Sequence, residues 1–362
     1  MLAKGSGRSF APPAPSGGGR SMKMDNNQCL WDANVADFPR LDGETGDSAR
    51  IMRAVAAAGE RGVVLFPRGE YEIDEMLVID NGVSLLMHKS ARLVATREMP
   101  YVLKYFGGRC EPENCGFGED RSQFIRGGEI DGRGLANCAN VMGVKHIVLS
   151  GTNFRNGKGI GLKLGDCDLP QRTSGGYEII ASNLYFHCDM PGLGVNTAIV
   201  NMISDSHFTD VVMVNYTYGL QTWGGCNRFT RFHFWGWKER VRKSVAFDVW
   251  ALDAVLSECY ADTAETGFWI HGDTTMTNCT SCNHPDCPMD DPVSIRHDAG
   301  SLIVTGSRFS KNGPKQTVYV RGEKAGELIW RDNIVRSMAG NATAFTDEEL
   351  AALRKQLNAN GE

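Results

Sequence analysis

The sequence predicts an all-β solenoid, in which one parallel strand recurs up a stack of coils. The first observation is an echo. "GLQTWGG" at 219–225 returns as "AFDVWAL" (246–252), "GFWIHGD" (267–273), "VSIRHDA" (293–299) and "VYVRGEK" (318–324), each with apolar residues at every second position. With Leu220, Phe247, Phe268, Val293 and Val318 taken as equivalent, the repeat is about 21–27 residues, the length of a solenoid coil. The second observation is a partner pattern between the echoes, an alternating strand that runs through a small polar turn into another apolar position. The third is composition: 42 Gly against 13 Pro suits many tight turns better than many helices.

The chain has 362 residues, 42% hydrophobic and 22% charged, the balance of a globular protein. A formal net charge of -5 gives no reason to expect nucleic acid or an anionic membrane as a partner. No apolar run is long enough to span a bilayer. The 11 Cys are an odd number in a chain that needs no disulfide framework, and most are expected as small buried hydrophobes. Cys110 and Cys115 are placed to bridge a loop in an oxidising compartment. Residues 1–25, rich in Gly, Pro and Ser, are expected to form a flexible tail. They lack the apolar core of a secretory signal, which leaves the location open: cytoplasmic, or secreted with a missing signal.

The solenoid domain is expected over 26–345. Asp47 or Ser48 caps a helix over 48–58, whose apolar residues fall at helical spacing and which Gly59 and Gly62 end. "GVVLFP" reads as a buried strand and "RGEYEI" as a turn into the next. "MLVIDNGVSLLMHKSARLVA" adds two strands about a turn at Asn81-Gly82. The partner pattern follows in "HIVLSGTNF" (146–154), "YEIIASNLYF" (177–186), "DVVMVNYTY" (210–218), "AVLSECYA" (254–261), "TMTNCTSC" (275–282), "LIVTGSRF" (302–309) and "ELIWRDNIV" (327–335). One coil cannot bury its own apolar face, so coils stack and each strand pairs with its copies. "TDEELAALRKQL" (346–357) predicts an amphipathic helix in a terminal segment, 346–362, that covers an open edge.

The order of "FPRLDGETGDSARIMRAV", "VVLFPRGEY" and "GGEIDGRG" (127–134) resembles the opening of the pectate-lyase-like (pectin lyase fold) proteins, a superfamily that includes polygalacturonase relatives, polysaccharide lyases and phage tailspikes. The resemblance covers roughly residues 35–135 by motif. It implies a right-handed parallel β-helix with an N-terminal helical cap. The superfamily hosts several chemistries, so the likeness speaks to fold before function. The catalytic motifs of polygalacturonases are missing: "NTA" at 196–198 lacks the Asp of "NTD", there is no "GHG" or "RIK", and the "DD" at 290–291 sits beside Pro.

Alternate side chains of a strand point to opposite sides. If Leu220, Phe247, Phe268, Val293 and Val318 face inward, two outward columns follow. One holds Gln221, Asp248, Trp269, Ser294 and Tyr319; the other holds Trp223, Trp250, His271, Arg296 and Arg321. Rungs about 4.8 Å apart match one sugar unit per coil. Aromatic rings suit sugar faces, amides and carboxylates suit hydroxyls, and Arg suits a uronate or sulfate. Lys243, in the aromatic and basic stretch "RFHFWGWKERVRK" (231–243), is expected on a loop walling this face. Packing by a loop or a second subunit is the competing use for such a face.

Glycoside hydrolysis needs two carboxylates about the scissile bond. The candidates are Asp248, Asp253, Glu258, Asp262, Glu265 and Asp273, with Asp248 on the groove strand and Asp273 just past His271. β-Elimination needs a base near a uronate and a cation on its carboxylate. His271, Arg296, Arg321 and Lys243 are the candidates for those roles, and calcium is a possible cofactor if the enzyme is a lyase. Cys279, Cys282, His284 and Cys287 carry the spacing of a zinc site, but Cys279 falls where the coil needs a core residue, so no metal is expected there. The leading expectation is an enzyme cleaving a polysaccharide or oligosaccharide, with hydrolase or intramolecular transferase ahead of lyase. A tailspike-like glycan-binding protein and a structural homotrimer stay open.

Overall fold

The computed structural model describes residues 30–107, 123–165, 176–190, 193–236, 242–284, 289–311 and 316–337, with the isolated positions 351 and 355. Cys110, Cys115, Arg240, Cys287, the expected tail and nearly all of the expected C-terminal helix lie outside these residues.

The strands are all paired in parallel, and the pairings fall into three ladders. Ladder A climbs through Val63–Phe66, Ser84–Met87, Phe124–Arg126 and Val148–Ser150 to Ala254–Ser257 and Thr274–Thr277. Ladder B climbs through Gly69–Ile73, Ala91–Ala95, Glu129–Asp131 and Asn153–Arg155 to Tyr260–Asp262 and Thr280–Cys282. Ladder C holds the echoed strands: Leu77–Ile79, Tyr101–Phe106, Asn137–Met142, Ile160–Leu164, Thr197–Asn201, Tyr218–Thr222, Val245–Val249 and Thr266–Ile270. The long strands Val293–Thr305 and Thr317–Arg331 end the stack, each running from ladder C into ladder A.

From Gly151 upward, the corner between ladders A and B has one backbone solution. Asn183, Asp210, Arg231, Glu258, Asn278 and Asp332 all have φ between 53° and 57°, and Gly151 and Gly306 hold the same position at 63° and 61°. A left-handed residue turns the chain sharply enough to restart a strand. Asn and Asp tolerate it, whereas Arg231 and Glu258 carry a Cβ there at a cost. The small polar turn of the sequence pattern is this corner. Asn81-Gly82 serves a similar purpose: Gly82 has φ 70° and joins ladder C to ladder A between parallel strands. The stretch around it forms three strands, Leu77–Ile79, Ser84–Met87 and Ala91–Ala95, where the sequence reading expected two about a hairpin-type turn.

Ser48–Ala58 is a helix with Asp47 as its N-cap residue and Gly59 beyond its end. The Asp47 side chain makes no cap bond. It accepts from Arg40 Nε at 2.8 Å, Arg50 Nε at 2.6 Å and the Glu72 amide at 2.6 Å, so it ties the helix to the strand of ladder B. Burial pushes this carboxyl up, but the Arg40, Glu72 and Arg50 donors outweigh it and hold the group below its usual range.

Inside the coils, like residues stack. Phe247 lies 4.9 Å from Phe268, Phe208 5.0 Å from Phe229, and Phe154 4.8 Å from Phe186, each pair nearly parallel. These separations repeat the strand spacing, so register is visible in the core itself. Each such ring is fully or almost fully buried, worth roughly 1.5–3 kcal/mol against leaving it in water.

Candidate functional site

One outward column of ladder C can be followed rung by rung. It runs Val78, Lys104, Asn140, Lys163, Val200, Gln221, Asp248, Trp269, Arg296 and Val320. At the strand ends a second row begins. The amides of Trp223, Trp250 and His271 bond to the carbonyls of Asn201, Thr222 and Val249 on the strands below, which aligns these three residues vertically.

The two rows meet in a connected cluster. Thr197 Oγ1 donates to Gln221 Oε1 at 2.9 Å, and Gln221 Nε2 donates to Asp248 Oδ2 at 3.0 Å. The other Asp248 oxygen lies 3.3 Å from His271 Nε2. The two atoms are close but not aligned for a hydrogen bond, and both are buried without a directed partner. The Trp250 ring lies on the His271 ring at 3.7 Å and 9°. Trp269 leans on the same imidazole at 4.9 Å, and its Nε1 donates to Asp298 Oδ2 at 2.8 Å. Arg296 stacks over Trp269 at 4.8 Å, and its Nε lies 3.2 Å from Asp298 Oδ1.

Burial divides this cluster into a floor and a face. The Asp248 and His271 side chains are only 6% and 8% exposed. Trp223 and Trp250 stand at 40% and 47%, large aromatic surfaces open to solvent. An unpartnered buried polar atom costs about 1–3 kcal/mol, and two face each other here. Such groups mark places where a structure keeps bonding capacity for something else.

The structure brings together Gln221, Trp223, Asp248, Trp250, Trp269, His271 and Arg296, as the sequence reading proposed. Arg296 sits in the row of Asp248 and Trp269, however, because Ile295 pairs with Phe268 and the coil is two residues out of the expected register. Tyr319 does not face outward. It pairs with Ile295, is 3% exposed, and its hydroxyl meets His297 Nδ1 at 3.0 Å. Ser294 is also buried, at 1%. Both errors have one cause: each rung of ladder C turns two consecutive residues inward. A Cβ on Gly219 would meet Phe234 Cδ2 at 2.6 Å, so the residue before Leu220 faces the core, and Ala246 before Phe247 is fully buried. Strict alternation fails at that step. Val320, expected inside, is 37% exposed. Arg321 pairs with His297, and its guanidinium donates to the Ala325 and Gly326 carbonyls at the last coil.

Asp273 and Lys243 lie apart from the cluster. Asp273 Oδ1 accepts from the Ser301 amide at 2.7 Å and so holds the next turn in place. Lys243 precedes its strand and its amide donates to Glu265. It sits in a left-handed turn, with φ 61°, two residues before Val245. Asp253 and Glu258 occupy left-handed turns, with φ 54° and 56°. Asp262 lies on ladder B with His233 and Cys282. Asp298 is the residue the sequence reading missed. It stands within the quoted "VSIRHDA", and anchoring that rung on Ile295 would have placed it beside His271.

Cys279 is fully buried, and its Sγ lies 3.4 Å from the Leu256 carbonyl. Cys282 Sγ meets the Tyr260 hydroxyl at 3.0 Å, and burial pushes its thiol up. Among the described residues no group of three or more His, Cys, Asp or Glu converges on a cation position. No described helix is long and apolar enough to cross a membrane.

No protein-family model and no curated protein matches the chain. Solved structures do. An endo-xylogalacturonan hydrolase from Aspergillus tubingensis superposes with a TM-score of 0.56 at 12% identity, over 87% of this chain and 96% of that one. A tailspike protein mutant of E. coli bacteriophage HK620, in complex with a pentasaccharide, gives 0.57 at 11% identity over 86% and 67%. ORF18 of Geobacillus virus E2 gives 0.56 at 15% identity over 84% of this chain, which spans 60% of that one. With every described strand parallel and these superpositions extending over most of its length, the chain has the fold of the right-handed parallel β-helix proteins.

Proposed function

We propose that the protein acts on a glycan laid along ladder C, and that it cleaves a glycosidic bond by hydrolysis at the Asp248–His271 pair. One observation carries this reading: a buried carboxylate and imidazole, 3.3 Å apart and without directed partners, lie beneath the solvent-facing Trp250, whose ring covers His271 in the row that also carries Trp223. The tryptophans offer platforms for sugar rings. Asp298, two rungs up and two residues further along the strand, roughly 12 Å away by strand spacing, is the second carboxylate of this reading. That separation suits a water between sugar and base better than direct attack by the second carboxylate. The fold likeness to a hydrolase and to a sugar-bound tailspike supports a carbohydrate ligand.

The near-complete burial of Asp248 and His271 favours a second reading, in which the tryptophans only bind. Trp250 decides between them, since its exposed ring covers His271 and must rotate for the pair to meet a substrate. The test is a panel of neutral and acidic polysaccharides read three ways. New reducing ends without the ultraviolet absorbance of an unsaturated uronate support hydrolysis, that absorbance indicates elimination, and binding with neither product indicates an adhesin.

A further inference from the structure

Two side chains reach Asp248 in series from the rungs below. Gln221 lies directly beneath it in the outward column, and Thr197 pairs with Tyr218, three residues earlier on the Gln221 strand. Thr197 is buried, and its Oγ1 lies 2.9 Å from Gln221 Oε1, while Gln221 Nε2 lies 3.0 Å from Asp248 Oδ2. One polarity satisfies this chain. A carboxylate oxygen accepts and never donates, so the end of the amide that meets Asp248 is its N–H end. The carbonyl end then faces Thr197, whose hydroxyl donates. The other Asp248 oxygen is treated differently: Oδ1 is buried without a directed partner, 3.3 Å from His271 Nε2. The charged and titratable neighbours are engaged elsewhere or neutral. Arg296 and Asp298, on the rung above Trp269, bind each other and that ring, and Lys163 stands three rungs below. Burial and the Asp248 charge both push the Tyr218 hydroxyl up, which keeps the phenol protonated.

We infer that Gln221 is a positioning residue: held by Thr197, it occupies Asp248 Oδ2 and so reserves Oδ1 for the proton that the Asp248–His271 pair handles. This deepens the reading of the preceding section, and its effect on turnover rests on that reading. The physical reason is a conflict of hydrogens. A proton on Oδ2 would point at the N–H of Gln221, whereas a proton on Oδ1 lies beside an imidazole nitrogen able to accept it. Without the Thr197 hydroxyl, the amide carbonyl loses its donor, and the amide is free to turn its oxygen toward a protonated Oδ2. The carboxyl then holds its proton on the side away from His271. Thr197 therefore acts on His271 through two intervening side chains, Gln221 and Asp248.

The experiment has an arm that needs no substrate. The full chain is labelled with ¹⁵N at histidine, and the His271 ring nitrogens are followed by NMR, assigned by their loss in His271→Gln. Thr197→Val keeps the side-chain shape and removes the hydroxyl. It is expected to shift the His271 ring signals when Gln221 is present, and to leave them in place when added to Gln221→Met, which keeps the length of the side chain without its amide. Thr197→Ser, which keeps the hydroxyl, is expected to restore the wild-type signals. Gln221→Leu serves if Gln221→Met melts early. In the second arm, on a glycan that the wild-type protein cleaves, Thr197→Val and Gln221→Met are each expected to lower kcat about tenfold at unchanged KM, with no further loss in the double variant. Unmoved His271 signals in Thr197→Val, the same movement with and without Gln221, or a change that Thr197→Ser fails to recover overturns the inference. Turnover that withstands Gln221→Met overturns it too, and leaves the hydrolytic reading standing. Absence of wild-type turnover on every glycan removes the hydrolytic reading, and the NMR arm then decides the positioning of Asp248 by itself.

Discussion

The Trp250 ring lies flat on the His271 imidazole at 3.7 Å, and His271 Nε2 in turn sits 3.3 Å from Asp248 Oδ1. The exposed aromatic surface and the recessed polar pair are therefore one unit. Removing the ring by Trp250→Ala is expected to lower glycan affinity by about tenfold while costing less than about 1.5 kcal/mol of stability, the usual worth of an aromatic pair. Affinity is read by calorimetry and stability by urea unfolding. Unchanged affinity would remove Trp250 from the binding face.

Core and face should respond oppositely. Phe247→Ala empties a place between Phe232 and Phe268 and is expected to cost about 3–5 kcal/mol. Trp223→Ala, at a site 40% exposed, is expected to cost under about 1 kcal/mol. Equal losses in urea unfolding would contradict the register of ladder C.

The corner position offers a backbone test. Glu258 has φ 56° and was a candidate carboxylate by sequence. Glu258→Gly is expected to be neutral or to stabilise by up to about 1 kcal/mol, since relief of left-handed strain offsets the lost chain stiffness. Glu258→Val is expected to destabilise by about 1–2 kcal/mol. Neither should alter glycan turnover. Loss of turnover in a stable Glu258→Gly variant would return that carboxylate to the chemistry.

His297 predicts a pH dependence. It is fully buried, with Nδ1 against the Tyr319 hydroxyl and Nε2 against the Gly300 carbonyl at 2.7 Å. Burial holds its pKa below the ordinary 6.5, despite the Gly300 carbonyl, which raises it. The unfolded chain therefore binds this proton first as pH falls. Stability from the neutral ring is complete above 6.5 and is lost as pH falls from there through the folded value. His297→Gln is expected to flatten that part of the profile, measured as urea midpoint against pH. Asp47, held low by its arginines, loses its contribution in a separate and more acidic window.

Much of the fold was legible because one physical signal repeats. Apolar alternation at coil spacing marked the strands, and the Ala-rich helix with Gly59 beyond it was read to the residue. Gln221, Trp223, Asp248, Trp250, Trp269 and His271 could be assembled because Leu220, Phe247 and Phe268 are unmistakable core residues in correct register. Beyond Phe268 the signal weakens. Val293 and Ile295 are equally good core residues two positions apart, and the paired inward step hides which of Val318 and Tyr319 is the equivalent of Ile295. Asp298 was lost with that register. Burial of His271 was not legible either, since Trp250 lies over its ring, a contact that no local pattern encodes.

The most direct measurement is turnover of a glycan panel by Asp248→Asn, a substitution that keeps the shape of the side chain and removes its charge. Wild-type protein is expected to release new reducing ends, and the variant to do so at least about 100-fold more slowly while binding the same glycan within about threefold. Cleavage by the variant at the wild-type rate, or a wild-type protein that binds no glycan at all, would contradict an active face on ladder C.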